Sequence, residues 1–204
     1  MTETKKQQLE ILDYWFAAIG DGFDVREQHK IWYGGKKATD DYIRQHYTVQ
    51  IEQAISGKLA HWSDTSTGAL ALVLLLDQFT RNIFRGTEKA FTGDSQALAV
   101  VKKSISDGLD TELSIVQRSF FYMPVEHSER LQDQDLCIKL FEKLLQETPV
   151  EGKSVVESSL NFAHKHQTII QQFGRFPHRN ELLNRVSTAE EQAFLAGGGA
   201  RFGQ

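Results

Sequence analysis

The chain has 204 residues, a formal net charge of -4, 40% hydrophobic residues and a single cysteine. This length suits one domain, and the acidic balance argues against a general nucleic-acid or anionic-membrane binder, because such proteins need a dominant basic surface. The lone Cys137 excludes an intrachain disulfide and a cysteine-based zinc site, and no signal peptide or membrane span is evident. We therefore expect a cytoplasmic protein with one domain over residues 1–196 and a flexible glycine-rich tail over 197–204.

Helical periodicity of apolar residues runs through the first third of the chain. It predicts an amphipathic helix around 9–16, a shorter stretch that ends at Trp32 and Tyr33, and a third helix that Thr39 caps. Trp32 is expected in the core. Asp40 and Asp41 lie in the first turn of the third helix, where the helix dipole favours acidic side chains. The predicted stops of the three segments are glycines, at Gly20, at Gly34 with Gly35, and at Gly57.

The segment 70–86, LALVLLLDQFTRNIFRG, predicts a central helix with two different halves. Residues 69–76 carry no polar side chain, which indicates a helix enclosed on all sides, and the run is too short to cross a membrane. Asp77, Arg81 and Arg85 follow at four-residue steps and continue the apolar stripe. We therefore predict that Asp77 and Arg81 are at least partly buried and paired with each other.

Further helices are predicted after the central one, from apolar spacing and capping residues. Short loops join them, and no stretch alternates apolar and polar residues as a strand would. Their predicted boundaries are, in chain order, a start at Asp94 or Ser95 with a stop at Gly108, a start near Thr111 with an interruption at Pro124, a start at Ser128, a run from Ser154 to Gly174, a short helix from Pro177, and a capping box formed by Ser187 with Glu190 or by Thr188 with Glu191.

The fold class predicted from these elements is all-α. Helices of moderate length with short connections pack as antiparallel neighbours, and this gives either a compact bundle or a curved stack of hairpins. We favour the stack because the helices are too numerous for one four-helix core. The sequence itself shows no repeat signature of the tetratricopeptide type.

The first group of candidate functional residues lies on the central helix. Arginine supplies forked donors that suit an anion or a carboxylate, and Asp77 can orient one guanidinium group. The alternative is an ion pair that only supports the helix, which is worth under ~0.5 kcal/mol when exposed. The residues of this group are Asp77, Gln78, Arg81, Asn82 and Arg85.

The second group lies at the break that follows Pro124. A histidine beside carboxylates can be held in one tautomer and act as an acid or a base, so His127 with Glu126 is the candidate catalytic pair. The alternative is that Ser128 is only a helix cap and that Glu129 only favours the helix dipole.

The third group lies near the end of the chain. His164 and His166 are about 200° apart on a helix and cannot ligate one metal ion together, so we predict no metal and no cofactor. A lone histidine such as His166 on an apolar face is more often a core residue with one satisfied nitrogen. The turn FGRFPHRN is dense in potential anion ligands, although its arginines could instead cap carbonyl groups; these ligands are Arg175, His178, Arg179 and Asn180.

The motifs LLLDQFTRNIFRG, MPVEHSE and KHQTIIQQFGRFPHRN together resemble the bacterial family known as domain of unknown function 924. The resemblance spans nearly the whole chain. It implies an all-helical, tetratricopeptide-like fold, a right-handed superhelix of stacked hairpins, without an assigned activity. The chain departs from the family pattern at Thr80, where proline is usual, and at Val186, where glutamate is usual and an acidic role is therefore unavailable here.

These observations support two hypotheses of function. The first is a pocket for a small anionic molecule or a peptide carboxylate where the three groups converge, with acid/base catalysis by His127 and Glu126 as its enzymatic form. The second is a scaffold that holds a peptide on the concave face of a helical stack. Distances among Arg81, His127 and Arg179 distinguish the two. Neither hypothesis involves a specific nucleic acid or a membrane, and the sequence does not predict the oligomeric state. The full candidate set for ligand binding is Asp77, Gln78, Arg81, Asn82, Arg85, Glu129, His166, Arg175, His178, Arg179 and Asn180.

Overall fold

The computed structural model describes residues 2–16, 19, 22–34 and 37–202, and these residues form helices and turns with no strand. The all-α class is therefore confirmed. Within these ranges, no helix is long and apolar enough to span a membrane. The α-helices are α1 (Glu3–Phe16), α2 (Arg26–Trp32), α3 (Lys37–Ile55), α4 (Ser66–Val73), α5 (Thr80–Ile83), α6 (Asp94–Ser106), α7 (Ile115–Phe121), α8 (Met123–Glu126), α9 (Leu131–Glu147), α10 (Lys153–Phe173) and α11 (Ala189–Ala196).

A π-helical segment over Leu74–Phe79 joins α4 directly to α5, and we call the continuous run 66–83 the central helix. Residues 69–76 are each at most 2% exposed, as the apolar run predicts. Thr65 caps the helix, because its side chain accepts a hydrogen bond from the backbone N–H of Gly68. Helices α1 and α6 pack against α4, and α3 packs against the π-helical segment and α5. The most apolar helix is thus enclosed by its neighbours.

The second half of the chain is organised around a long hairpin of α9 and α10. Helix α7 packs against α4 and α10, and α8 packs against α6, α9 and α10, so the short helices join the hairpin to the central helix. Gly174 ends α10 with a φ of 69°, in the left-handed region that glycine adopts without strain. The capping box that opens α11 is Thr188 with Glu191, one of the two predicted pairs.

Two predicted helix starts in the described ranges, those of α3 and α7, are wrong, and α6 starts at Asp94 as predicted but without the predicted cap. Helix α3 begins at Lys37, before Thr39. The Lys37 ammonium pairs with Asp41 one turn later at 2.6 Å, and this contact supports the additional residues. Helix α6 begins after Gly93, and neither Asp94 nor Ser95 makes a capping bond. Helix α7 begins at Ile115 rather than near Thr111; residues 109–112 form a separate three-ten turn, and a capping box of Ser114 with Gln117 opens the helix.

The predicted start at Ser128 is also wrong, because α9 begins at Leu131 with Arg130 in the capping position. The Ser128 hydroxyl donates to the Asp133 carboxylate at 2.7 Å. The neighbouring Glu129 accepts hydrogen bonds from Arg185 and from the backbone N–H of Phe176. Contacts distant in sequence therefore fix the conformation of 128–130 and displace the local capping preference.

Some sequence predictions are not decided by these elements. The stops at Gly20 and Gly35 lie outside the described residues, as do the last two residues of the predicted tail. The superhelical stack, the domain limits 1–196 and the flexibility of 197–204 stay predictions. Trp32 is half-buried, and its ring centre lies 4.4 Å from that of Phe120 at the edge of the main core.

The start of α6 approaches the central helix so closely that it requires a glycine. A Cβ atom at Gly93 would lie 2.2 Å from the carbonyl oxygen of Leu76, and that oxygen belongs to the backbone of the buried central helix, which packing holds in place. We expect Gly93→Ala to lower the free energy of unfolding by roughly 1 to 3 kcal/mol in urea denaturation. The matched control Ser95→Ala, at an exposed position of the same helix, should change it by less than ~0.5 kcal/mol. Equal stability of the two variants would contradict the close packing.

Candidate functional site

A cavity of about 850 Å³ opens beside the second half of the central helix. Seven of the predicted site residues line it: Gln78, Arg81, Asn82, Arg85, Glu126, His127 and His166. The remaining wall is mostly apolar, and its larger members are Trp32, Tyr33, Phe120, Met123, Phe141, Phe162 and Phe202. Its size and its mixture of few polar groups with many apolar ones are typical of a small-molecule site.

The π-helical segment lies where the central helix changes from core to cavity wall. A change from π-helical to α-helical bonding disturbs the regular pairing of backbone carbonyls, and such segments occur frequently at functional sites. Side chains bond to the carbonyls here: the Thr80 hydroxyl donates to those of Leu76 and Asp77 at 2.8 and 3.1 Å, and Arg81 Nη1 donates to that of Asp77 at 3.0 Å. The backbone of the segment is thereby tied to the site.

The Asp77 carboxylate is completely buried and lies behind the cavity wall. Its Oδ1 accepts a hydrogen bond from His127 Nδ1 at 2.7 Å and lies 3.0 Å from Arg81 Nη1. Burial raises the pKa of Asp77, but the neighbouring Arg81 and His127 outweigh burial and hold the pKa well below its usual value. The predicted burial and pairing of Asp77 with Arg81 are confirmed.

The ionised Asp77 also determines the state of His127. A carboxylate can only accept, so His127 carries its proton on Nδ1 and keeps a lone pair on Nε2. Burial and the charge of Arg81 lower the pKa of His127 despite the attraction of Asp77. The ring is therefore neutral at physiological pH, with one tautomer held beside the cavity.

Arg81 connects this pair to the third group of predicted residues. Its guanidinium makes two parallel bonds to Asp94, at 2.8 and 3.0 Å, and Arg179 Nη1 lies 3.5 Å from the same carboxylate. The Arg179 guanidinium lies 4.9 Å from the ring centre of Phe91 and 4.4 Å from that of Phe176. The three groups of the sequence analysis thus converge, but Arg179 lies behind the cavity and does not line it.

Glu126 and His166 form a second buried pair. His166 Nδ1 lies 2.9 Å from the carbonyl oxygen of Phe162 and 3.1 Å from Glu126 Oε1. Burial, reinforced by Asp77, raises the pKa of Glu126 to about 8, and burial, reinforced by His127, lowers the pKa of His166 to about 3. Both groups are therefore largely uncharged at neutral pH. His166 has one satisfied nitrogen, as expected of a core residue, yet its ring also faces the cavity.

Three of these side chains could together hold a metal ion. Glu126, His127 and His166 each offer a ligand atom within 4.8 Å of the other two, and they form the one such group found among the described residues. On the sequence alone, His166 could be compared only with the exposed His164 on the same helix. The sequence did not identify ligand partners that a different helix contributes.

The other predicted ligands do not line the cavity, and Glu129, Arg175 and Asn180 are bonded within the chain. Arg185 binds Glu129 with two hydrogen bonds, at 2.6 and 3.0 Å. Arg175 Nε donates to Glu191 at 2.7 Å, and Asn180 donates to the same carboxylate. These bonds hold α11 against the C-terminal turn, so for Arg175 the alternative of a structural role fits the geometry. His178 is buried between Phe176 and Phe202.

The sequence analysis missed a stripe of cavity residues on α10. Ser154, Ser158, Phe162 and His166 recur every four residues and all line the cavity, so the spacing that identified Arg81 and Arg85 could have found them. Phe202 had no such signal. It follows a run of glycines, yet its ring stacks on His166 with the ring centres 3.6 Å apart.

A family model described as a bacterial protein of unknown function, DUF924, matches residues 11–199. The chain belongs to this family. Among solved structures, the DUF924 chain is similar to a protein of unknown function, ATU0120 from Agrobacterium tumefaciens, with 32% sequence identity and a TM-score of 0.81 over 96% of this chain and 100% of that chain. No curated protein matches. The comparisons therefore show the family and support the fold, and they assign no activity.

The buried Asp77 carboxylate is expected to contribute strongly to stability. We expect Asp77→Ala to lower the free energy of unfolding by about 2 to 4 kcal/mol, because it removes a partner from buried Arg81 and the acceptor from His127. The matched control is Asp41→Ala, which removes exposed pairs with Lys37 and Arg44 and should change stability far less, because water screens exposed ion pairs. Chemical denaturation measures both, and a similar loss in the two variants would contradict the burial of the Asp77 pair.

The raised pKa of Glu126 should make the stability of chelator-treated protein depend on pH. A carboxyl whose pKa is raised on folding stabilises the fold below its unfolded pKa, and this contribution is lost as pH rises towards the folded value, here about 8. In Glu126→Gln this pH-dependent loss of stability is absent. The difference in free energy of unfolding, Glu126→Gln minus wild type, should therefore increase by roughly 1 kcal/mol or more from about pH 5 to about pH 8. Urea denaturation at several pH values checks this, and a constant difference would show that Glu126 ionises normally.

Proposed function

We propose that the cavity binds a small organic acid and that His127 acts on this ligand as an acid or a base. The observation that carries the proposal is the 2.7 Å bond from His127 to Asp77, made where cationic and aromatic side chains line the same cavity. The bond fixes the tautomer of a neutral histidine beside a space large enough for a ligand.

The charges at the cavity support an anionic group. Arg81 and Arg85 are the arginines of its wall, while the raised pKa of Glu126 keeps that carboxyl largely neutral at physiological pH. The Asp77 and Asp94 carboxylates neutralise much of the Arg81 charge, and Arg85 pairs with Asp40 at 3.4 Å. Arg85 is the more exposed of the two arginines, so a ligand anion reaches it at the rim in competition with Asp40. An anion 4 Å from a guanidinium gains roughly 4 kcal/mol at an effective dielectric constant of 20, before desolvation costs.

The rest of the wall supports an apolar body on the same ligand. Trp32, Phe120 and Phe162 border the space that the arginines leave. Burial of apolar surface contributes about 25 cal/mol per Å², so a phenyl-sized group adds several kcal/mol. The ligand class that fits both ends of the cavity is an aromatic or branched aliphatic carboxylate or phosphate ester.

The acid/base part of the proposal assigns one role to each buried group. Nε2 of His127 accepts a proton from the ligand, and the Asp77 carboxylate stabilises the resulting imidazolium. Neutral Glu126 donates a hydrogen bond or a proton to the ligand. General acid/base catalysis of this kind contributes about 10² to 10⁴ in rate. The contact of His127 with Asp77 across helices favours such a site over an open peptide-binding face, where the groups would lie apart.

Thermal-shift and calorimetric titrations with a panel of aromatic and aliphatic carboxylates and phosphate esters test binding. We expect at least one class to bind wild type, and Arg85→Gln to weaken that binding at least tenfold because the rim charge is lost. Lys89→Gln, which removes an exposed charge four residues further along the chain and outside the cavity wall, should bind like wild type. Absence of binding across the panel, or equal affinity of Arg85→Gln and wild type, would contradict the anion site.

The catalytic part has its own test with the ligands that bind. His127→Gln should retain much of the affinity and lose turnover by at least 100-fold, because the loss of an acid/base group acts on the chemical step. His29→Gln, which changes another cavity histidine, should turn over like wild type. Equal turnover by His127→Gln and wild type would show that His127 is not the catalytic group.

A further inference from the structure

The geometry points to a second use of this cavity: we propose that Glu126, His127 and His166 bind a divalent transition-metal ion such as Zn²⁺. The inference goes beyond the organic-acid proposal and does not depend on it. Two imidazoles and one carboxylate are a ligand set that proteins use for zinc and for non-haem iron, with further positions left open.

The three donors are close enough to meet on one ion. A ligand atom from each lies within 4.8 Å of the other two, whereas ligand atoms of a tetrahedral zinc site are about 3.4 Å apart when each bond is near 2.1 Å. Rotations of the side chains by about 1 Å at their tips therefore complete the site. The donors lie at the end of α8 and on α10, which pack against each other, so the backbone needs no rearrangement.

Both histidines already have the supporting hydrogen bonds that metal ligands typically have. His127 donates from Nδ1 to Asp77 at 2.7 Å, and His166 donates from Nδ1 to the carbonyl of Phe162 at 2.9 Å. Each bond leaves the lone pair on Nε2 of its ring. Glu126 Oε1 lies 3.1 Å from His166 Nδ1, so metal binding requires the Glu126 carboxylate to rotate towards Nε2. A carboxylate or a carbonyl on the opposite ring nitrogen is the arrangement that orients metal-binding histidines and raises their basicity.

The third donor is a buried carboxyl that lacks a cationic partner. Glu126 is 6% exposed, and no lysine or arginine of the described ranges pairs with it; its ionic contact is with His166. A buried carboxylate requires either a proton or a cation nearby.

The ion would have open coordination positions on its cavity side, where water or an oxygen of the ligand can bind. Three protein ligands with an open position are typical of catalytic rather than structural metal sites. Because the ion takes the Nε2 lone pair, metal binding and acid/base use of His127 exclude each other. In the metal-bound protein, His127 is a ligand and an anionic group of the organic acid can reach the ion.

Calorimetric titration of chelator-treated full-length protein with Zn²⁺, and visible absorption after addition of Co²⁺, test the site. We expect one ion per chain and the d–d bands of four- or five-coordinate cobalt. His166→Ala and Glu126→Ala should each weaken zinc binding at least tenfold, and Asp77→Asn should weaken it by about 10- to 100-fold through His127. The matched control is His164→Ala, an exposed histidine on α10 two residues from His166, which should bind like wild type.

Circular dichroism verifies the fold of each variant, and His166→Gln replaces His166→Ala if the smaller side chain unfolds the protein. Zinc binding that is absent in wild type, or equally strong in His164→Ala and the His166 variant, overturns the proposal. The organic-acid titrations are run in chelator, so their result is separate. Ligand binding without metal binding rejects the metal site alone, and metal binding without ligand binding rejects the anion site alone.

Discussion

The buried charge of Asp77 is the constraint on which the rest of the structure depends. An uncompensated carboxylate in a protein interior costs several kcal/mol, so the fold must bring partners to it from different elements. Arg81 lies on the same helix, just after the π-helical segment. His127 lies at the end of α8, fifty positions after Asp77. The two halves of the chain are therefore joined at a point where separation would break the His127–Asp77 hydrogen bond and remove one partner from a buried carboxylate.

The same ionic network extends to the C-terminal part of the chain. Asp94 at the start of α6 binds Arg81 and lies beside Arg179, and the approach of Gly93 to Leu76 brings it there. Residues that do not touch the cavity thus determine the position of those that do. Because these supports are buried and close-packed, the cavity wall inherits the rigidity of the core, which is the condition for holding donors in a fixed geometry.

The features that could be predicted from the sequence have a local periodicity or a capping signal, although the four-residue stripe on α10 has such a periodicity and was missed. The burial of Asp77 and Arg81 followed from a stripe that began in the core, and the pair Thr188 and Glu191 followed from capping chemistry. Ser128 was misassigned because its bond to Asp133 outweighs a local preference that is worth only about 1 kcal/mol. The meeting of Glu126 with His166 could not be foreseen, since contacts between helices forty residues apart leave no spacing to recognise.

Phe202 stacks on the His166 ring from a segment that begins with Gly197, Gly198 and Gly199. Because Phe202 belongs to the same chain, it is an intramolecular competitor for that face of the imidazole. Any ligand that stacks there must first displace Phe202, and its apparent dissociation constant rises by the inverse of the open fraction. A metal ion approaches in the plane of the ring and avoids this competition. The two proposed occupants of the cavity would therefore differ in how strongly Phe202 opposes their binding.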